Sequence, residues 1–385
     1  MITTQTADNV LKSYYLGIVS EQLDKSVNPL LAQIEKTTSD VWGRDVRKTV
    51  RYGINGGIGA GTETGDLPKA ADGNYAQFVT TLKNLYGRIE ISDKAIRASA
   101  TNEGAFVNLL NDEMDALVKS SAFNFSRMLF GDGSGTLAKV TAVPGTGDTS
   151  GYTVDSVKNL VEGMIVDVYK SGTKTVSGAT VTAVNRTDKK IKLSSGTLAA
   201  NDILVVQNSY NLELTGLGAL FGSSSTLYGV NRSDNTWLKP YSKAVGGSLT
   251  EGALQAAIDG VEENGGGKVN FIVCSRGVRR ALISALSSYR TSETIDLEGG
   301  FRAISFNGIP VVADRFCPDG TMYLLNTEDF GLHQLCDWQW LEGDDGNILK
   351  QIPGKPVYTA TLVKYAELMC YRPCGQGVLT GITES

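Results

Sequence analysis

Residues 102–130 read NEGAFVNLLNDEMDALVKSSAFNFSRMLF. Phe106, Leu109, Leu110, Met114, Leu117, Val118, Phe125, Met128 and Leu129 recur at mostly three- and four-residue steps, the spacing of one face of an α-helix. Thr101 is placed to cap this helix, and Glu103 puts a negative charge in its first turn, where the helix dipole favours one. Gly131 is expected to end it in a left-handed cap, with a turn through Asp132-Gly133-Ser134-Gly135. At 1.5 Å per residue the rod is roughly 40 Å long, a strut rather than a packing unit. Asn108, Asn111, Asp112, Asp115 and Lys119 face away from the apolar stripe, so it is not a membrane span.

On the N-terminal side, residues 46–54 alternate apolar and polar as a strand does, and Ile89-Glu90-Ile91-Ser92 alternates again. Between them lie Gly56, Gly57, Gly59, Gly61 and Gly65. The expectation is one long hairpin over residues 46–91, with the return strand running from Phe78 to Ile91 and a glycine-rich tip. An isolated two-stranded hairpin is marginal in water, so this one needs a surface to lie on. Farther out, Val10, Leu11, Tyr14, Tyr15, Ile18 and Leu23 suggest a short helix, followed by an extended arm to about residue 40 that packs on something else.

On the C-terminal side, residues 139–207 hold short strand-like runs separated by Gly and Asp, the pattern of a small all-β barrel or sandwich. Residues 212–240 are irregular. A helix is expected over 250–263, ended by Asn264-Gly265-Gly266-Gly267, then a buried strand over 269–274 and a helix from Arg276 to about Tyr289 capped by Ser275. Core strands follow at Ile309-Pro310-Val311-Val312 and Met322-Tyr323-Leu324-Leu325, and two long strands over 332–341 and 356–372 close the chain.

With 385 residues, two or three domains are expected, in a soluble protein of 41% hydrophobic and 20% charged residues. A formal net charge of -5 argues against a dedicated nucleic-acid binder. The start of the chain shows no signal peptide, and no stretch reads as a transmembrane segment. Five scattered cysteines (Cys274, Cys317, Cys336, Cys370, Cys374) make no disulfide framework and suit a reducing compartment.

Chemistry is sparse. The single histidine, His333, sits in a strand-like run without a nucleophile pattern around it and reads as structural or interfacial. Cys370 and Cys374 are not spaced as a zinc pair. The glycines of 53–61 miss the dinucleotide fingerprint, and Gly267-Lys268 is followed by Val269, not Ser or Thr. The glycosylation sequons at Asn185 and Asn231 are read as chance matches without a secretory signal. Asp344-Asp345 reads as a solvated turn, and Arg276, Arg279 and Arg280 as a solvated or subunit-facing basic helix face. No catalytic, cofactor-binding or metal-binding residue is assigned, and no enzymatic role is expected.

The order of elements carries more information than any motif. An arm, a long glycine-tipped hairpin, a spine helix, an α/β domain and two closing strands, read together, resemble the major capsid proteins of tailed bacteriophages with the HK97-type fold. The resembling stretches are Phe130-Gly131-Asp132-Gly133; Leu227-Tyr228-Gly229-Val230-Asn231-Arg232 ahead of Trp237; 305–312; 322–327; and Ala366-Glu367-Leu368. The resemblance covers nearly the whole chain except the β module. It implies an α+β fold divided as follows: N-arm 1–45, extended E-loop 46–91, peripheral P-domain with spine helix 92–138, β insertion 139–207, P-domain connector 208–245, axial A-domain 246–329, P-domain strands 330–373 and a C-terminal segment 374–385 returning to the A-domain.

The function implied is a coat protein that self-assembles into pentamers and hexamers of an icosahedral head around double-stranded DNA, without sequence-specific DNA binding and without a membrane. Portal and scaffolding proteins are implied partners, with a decoration protein on the insertion. The chain starts directly with the arm, which implies a separate scaffold or an upstream region removed. The location implied is the virion, after assembly in the host cytoplasm. In some members a loop Lys and a P-domain Asn cross-link; Lys69 and Asn347 are the nearest candidates here, although neither sits in a matching motif. Two other readings remain: an encapsulin-like compartment shell, and a carbohydrate- or ligand-binding protein using the β module, whose aromatics are Tyr152 and Tyr169.

Overall fold

The computed structural model describes residues 28–39, 41, 43, 45–94, 103–145, 150–286, 294–297, 301–343 and 346–384. The helical pattern read at residues 10–23, the cap at Thr101 and the Asp344-Asp345 pair lie outside them, as do the side chains of Phe106, Leu109 and Leu110. In chain order the first elements are β1 (Glu35–Thr37), β2 (Asp45–Tyr52), β3 (Asn74–Thr81), β4 (Lys83–Ser92) and the spine α1 (Glu103–Met128). Next come β5 (Thr136–Ala142), β6 (Tyr152–Val154), β7 (Ile165–Lys170), β8 (Thr173–Asn185), β9 (Lys190–Leu193) and β10 (Ile203–Val206). Then follow α2 (Leu217–Phe221), β11 (Thr226–Leu227), β12 (Val230–Asn231), β13 (Tyr241–Gly247), α3 (Glu251–Gly265), β14 (Phe271–Cys274) and α4 (Arg276–Leu286). The chain closes with β15 (Thr294–Leu297), β16 (Phe301–Phe306), β17 (Ile309–Ala313), β18 (Met322–Leu325), β19 (Phe330–Trp340), β20 (Lys350–Gln351), β21 (Val357–Cys370) and β22 (Gly377–Ile382).

The spine helix lies on a five-stranded sheet in which β19 and β21 pair antiparallel, β1 joins β19 in parallel, and β4 and β20 join β21. Met114, Val118 and Phe125 face this sheet and are buried, with the Phe125 ring edge-on to Trp338 at 6.3 Å. Gly87 on β4 makes the contact close, because a Cβ there would lie 3.0 Å from Leu117 Cδ1 and 3.2 Å from Ser121 Oγ. At its C-terminal end the helix buries Arg127, whose guanidinium meets Glu213 Oε1 at 2.5 Å and Asn124 Oδ1 at 2.7 Å. A buried ion pair of this kind is costly to break from one side, because the other charge is then stranded.

Two expectations are corrected. Gly131 is not left-handed: the helix tightens through Phe130 N–H to Arg127 O and Gly131 N–H to Met128 O, and the left-handed residues come later, at Gly133 and Gly135. The return strand of the hairpin is also not one strand. It breaks at Leu82, so that β3 pairs with β2 while β4 leaves the hairpin and pairs over ten positions with β21. The break is physical: on β4 Leu85, Gly87 and Ile89 turn inward against the spine, whereas β3 buries only Phe78 and packs it against Tyr228 and Trp237.

Strands β5 to β10 close into a six-stranded barrel in the order β10-β5-β6-β9-β8-β7. Its interior is aliphatic, with Leu137, Val140, Leu160, Val166, Val168, Val181, Ile191 and Leu204 buried, as a barrel this small requires. Asp167, also fully buried, locks its exit: Oδ1 accepts from Gly178 N–H (2.8 Å), and Oδ2 from Asn208 N–H (2.9 Å) and Lys174 Nζ (2.6 Å).

The remaining sheet has seven strands in the order β13-β22-β18-β14-β17-β16-β15. Helices α3 and α4 pack on it over a core that includes Leu254, Ile258, Val261, Val278 and Leu282. Thr250 Oγ1 caps α3 by accepting from Ala253 N–H, and Gly266 ends it at φ +60°. Ser275 Oγ caps α4 by accepting from Val278 N–H.

Candidate assembly surface

The hairpin has a buried root and a bare tip. At the root Phe78 is fully buried, and Val79 N–H donates to Tyr228 O at 3.0 Å. The Trp237 ring stacks on Tyr52 (centroids 4.5 Å, planes 6° apart) and is nearly parallel to Phe78 (5.9 Å, 8°). Tyr228 occupies the first position of the two-residue turn between β11 and β12, at φ 49° with Gly229 at φ 80°, the pair of positive angles such a turn demands. A tyrosine is strained there. Its ring is fixed by contact with Phe78 at 5.3 Å and its hydroxyl by accepting Cys370 N–H at 3.0 Å. At the root, then, the surface that the hairpin needs is supplied by its own chain.

The tip, residues 53–73, is different. Ile54, Ile58 and Leu67 are 73%, 74% and 90% exposed. Asn55 holds the tip together locally, with Nδ2 donating to Ala71 O and Oδ1 accepting from Gly57 N–H, both at 2.8 Å. Three large apolar side chains at the end of a projecting element are costly in water unless another surface covers them. Lys69 is exposed on this tip, whereas Asn347 is half-buried in the connection between β19 and β20.

The arm enters through Asn28, fully buried, whose Oδ1 accepts from Leu30 and Leu31 N–H and whose Nδ2 donates to Ser126 O on the spine. Lys36 on β1 lies 3.7 Å from Asp337, which also binds the buried Lys364 at 2.5 Å. Burial alone would raise the Asp337 carboxyl, but the neighbouring lysines outweigh it and hold it below its ordinary value. Sequence reading missed this tie, as it missed Trp237 as an anchor; the only local signal was the Tyr228-Gly229 dipeptide.

His333 is fully buried on β19, with Nε2 at 3.0 Å from the Tyr371 hydroxyl. It lies opposite Glu367 in the ladder. The Glu367 carboxyl is pushed up to about 7 by burial, partly offset by Thr215 N–H donating to Oε1 and by the charge of Lys83. Cys370 is buried and its thiol is pushed far up by burial; Cys374 is half-buried and raised for the same reason. Among the described residues no group of three or more His, Cys, Asp or Glu is placed to hold a metal ion, and no helix is long and apolar enough to cross a membrane. Tyr152 and Tyr169 do not form one platform, since Tyr169 stacks instead on Tyr210 at 4.1 Å. Arg276 and Arg280 are exposed on α4, and Arg279 is half-buried beside them.

No protein-family model matches the sequence, and no curated protein matches it. Solved structures do. A chain of the Cyanophage A-1(L) capsid asymmetric unit is similar over 93% of this chain and 94% of its own, at 12% identity and a TM-score of 0.56. A chain from the capsid of Myoviridae phage XM1 is similar over 93% and 92%, at 11% identity and a TM-score of 0.47. One from an encapsulin complex of Synechococcus elongatus is similar over 93% and 89%, at 9% identity and a TM-score of 0.46. Over 93% of its length, then, this mixed α+β chain shares the fold of the cyanophage capsid chain.

Proposed function

We propose that this chain is a major capsid protein, which self-assembles into the icosahedral head enclosing a phage double-stranded DNA genome. The observation that carries the reading is the fold shared with the cyanophage capsid chain over 93% of this one, with both chains matched almost completely. The bare tip supports it independently, since Ile54, Ile58 and Leu67 need a surface that the described residues do not provide. On this reading residues 46–91 are the E-loop lying on a neighbouring subunit, 1–45 the N-arm, and 92–138, 208–245 and 330–373 the P-domain. Residues 246–329 with 374–385 are the axial A-domain, and the barrel within 139–207 is an insertion on the shell. The chain works by repeated contact rather than by chemistry, and the location is the virion.

The acidic balance suits a container, because a wall of net charge -5 does not bind its polyanionic cargo tightly. Many modest interfaces repeated under closed symmetry then give a stable wall. The test is size-exclusion chromatography of the purified chain followed by negative-stain electron microscopy. Closed shells, or five- and six-membered rings, are the expected result. A monomer that stays monodisperse at high concentration, with residues 53–73 resistant to protease, overturns it.

A further inference from the structure

Two helices of the seven-stranded sheet each carry charge of a single sign. On α3, Glu251, Asp259, Glu262 and Glu263 are exposed, and the helix has no lysine or arginine. On α4 the charged residues are Arg276, Arg279 and Arg280, with no acidic residue in the helix. Much of this charge sits at the wrong end for its own helix. Glu262 and Glu263 lie in the last turn of α3, where the dipole is negative, and the arginines lie in the first turns of α4, where it is positive. Both placements cost local helix stability, which points to a contact outside the helix.

The two sets cannot meet at those ends within one chain. β14 connects the end of α3 to the start of α4, so the acidic terminus and the arginine-bearing terminus stand at opposite ends of that strand. Contacts within the chain soften the contrast without removing it, and Arg280 itself makes one. At the α4 end Glu384 accepts from Ser275 Oγ and from Gly320 N–H, and Asp314 lies near Arg276. Arg315 stands close by, and after burial it is the positive charge of Arg276 and Arg186 that holds its guanidinium below the usual value, as a field in positive excess does. At the α3 end Lys268 is exposed, while Arg372 is bound to Asp329.

We infer that the acidic face of α3 on one copy docks against the arginines of α4 on the next, a head-to-tail ionic contact between copies of this chain. The inference rests on the capsid reading and adds to it what joins the subunits of one ring. The two surfaces differ, so the contact is heterologous, and repetition closes it into a ring. Opposed faces of single sign also steer the partners into register and repel the wrong pairing.

The experiment uses the full chain in three forms besides the wild type: E262K with E263K, R276E with R280E, and all four together. Each reversal places at its helix end the charge that the dipole favours, but Arg280 also makes an interaction within its own chain, so circular dichroism and thermal melts must first show that each variant folds as the wild type does. In each pair alone, like charges face each other across the contact, and the assembled fraction in low salt is expected to fall about tenfold or more. The fourfold variant restores complementarity with the signs exchanged and should recover assembly. Mixing the two paired variants should restore six-membered rings, in which they can alternate, but not five-membered ones, in which they cannot. Paired variants that assemble like the wild type, or a fourfold variant as defective as they are, overturn the contact while leaving the capsid reading standing. A wild-type chain that forms no ring or shell overturns both.

Discussion

Replacing Trp237 by alanine should release the hairpin from its own chain while leaving the sheets intact. The indole makes two nearly parallel ring contacts, with Tyr52 at 4.5 Å and Phe78 at 5.9 Å. Each aromatic pair contributes about 0.5–1.5 kcal/mol beyond area burial, so losing both removes about 2 kcal/mol. Trp237 is half-buried, and the apolar surface it gives up adds about 1 kcal/mol, less than for a fully buried ring. A total of about 3 kcal/mol is roughly a hundredfold in the local opening equilibrium, since about 1.4 kcal/mol is tenfold. Hydrogen exchange on the unassembled chain, resolved by peptide, reads this directly. Amides of β2 and β3 should exchange about a hundredfold faster in W237A, those of β19 and β21 should not change, and W237F should fall between. Unchanged protection in β2 and β3 would show that Trp237 does not hold the root. An equal loss of protection in β21 would show instead that hairpin and sheet open as one unit.

Three further outcomes follow from buried groups. Glu367 has a folded value of about 7 against an ordinary 4.5, so the unfolded chain loses its proton first and stability falls as pH rises from about 4.5 to about 7. The loss is on the order of 3 kcal/mol; E367Q should abolish it, and thermal melts at pH 5 and pH 8 should show the variant gaining on the wild type at the higher pH. At Asp167 burial raises the carboxyl, but Lys174 and the N–H groups of Asn208 and Gly178 outweigh it, so its contribution is present above the unfolded value and is lost as acid titrates the folded group. D167N should cost about 2 kcal/mol in denaturant unfolding at neutral pH and much less at low pH. G87V should push the spine off β4, where even a Cβ would lie 3.0 Å from Leu117, costing about 1–3 kcal/mol in the same assay.

What could be read from sequence was whatever local periodicity determines. The spine follows from its three- and four-residue spacing, α3 from the glycine stop at Gly265-Gly266-Gly267, α4 from its cap Ser275, and β19 and β21 from their length. What could not be read depends on distant partners. Nothing near Leu82 announces that β4 belongs to β21, because Arg88 and the Thr359 hydroxyl it binds are 271 residues apart and alternation is the same in either pairing. Gly131 looked like a cap because it is the first glycine after the helix, whereas burial of Leu129 and Phe130 delays the left-handed turn to Gly133. For the candidate surface, glycine density marked the tip, but only the structure separates the bare Ile54, Ile58 and Leu67 from the anchored Phe78.

The single residue Leu82 between β3 and β4 has a mechanical consequence. Tension applied at the tip runs along β3 into β4 and meets the ten-position ladder with β21 lengthwise, so its hydrogen bonds are sheared together rather than unzipped one after another. The spine, seated over Gly87, lies across the same strand. A tip held by another molecule would thus be a tether whose tensile load reaches the middle of the five-stranded sheet, and pulling on it would strain that sheet before it could peel the hairpin away.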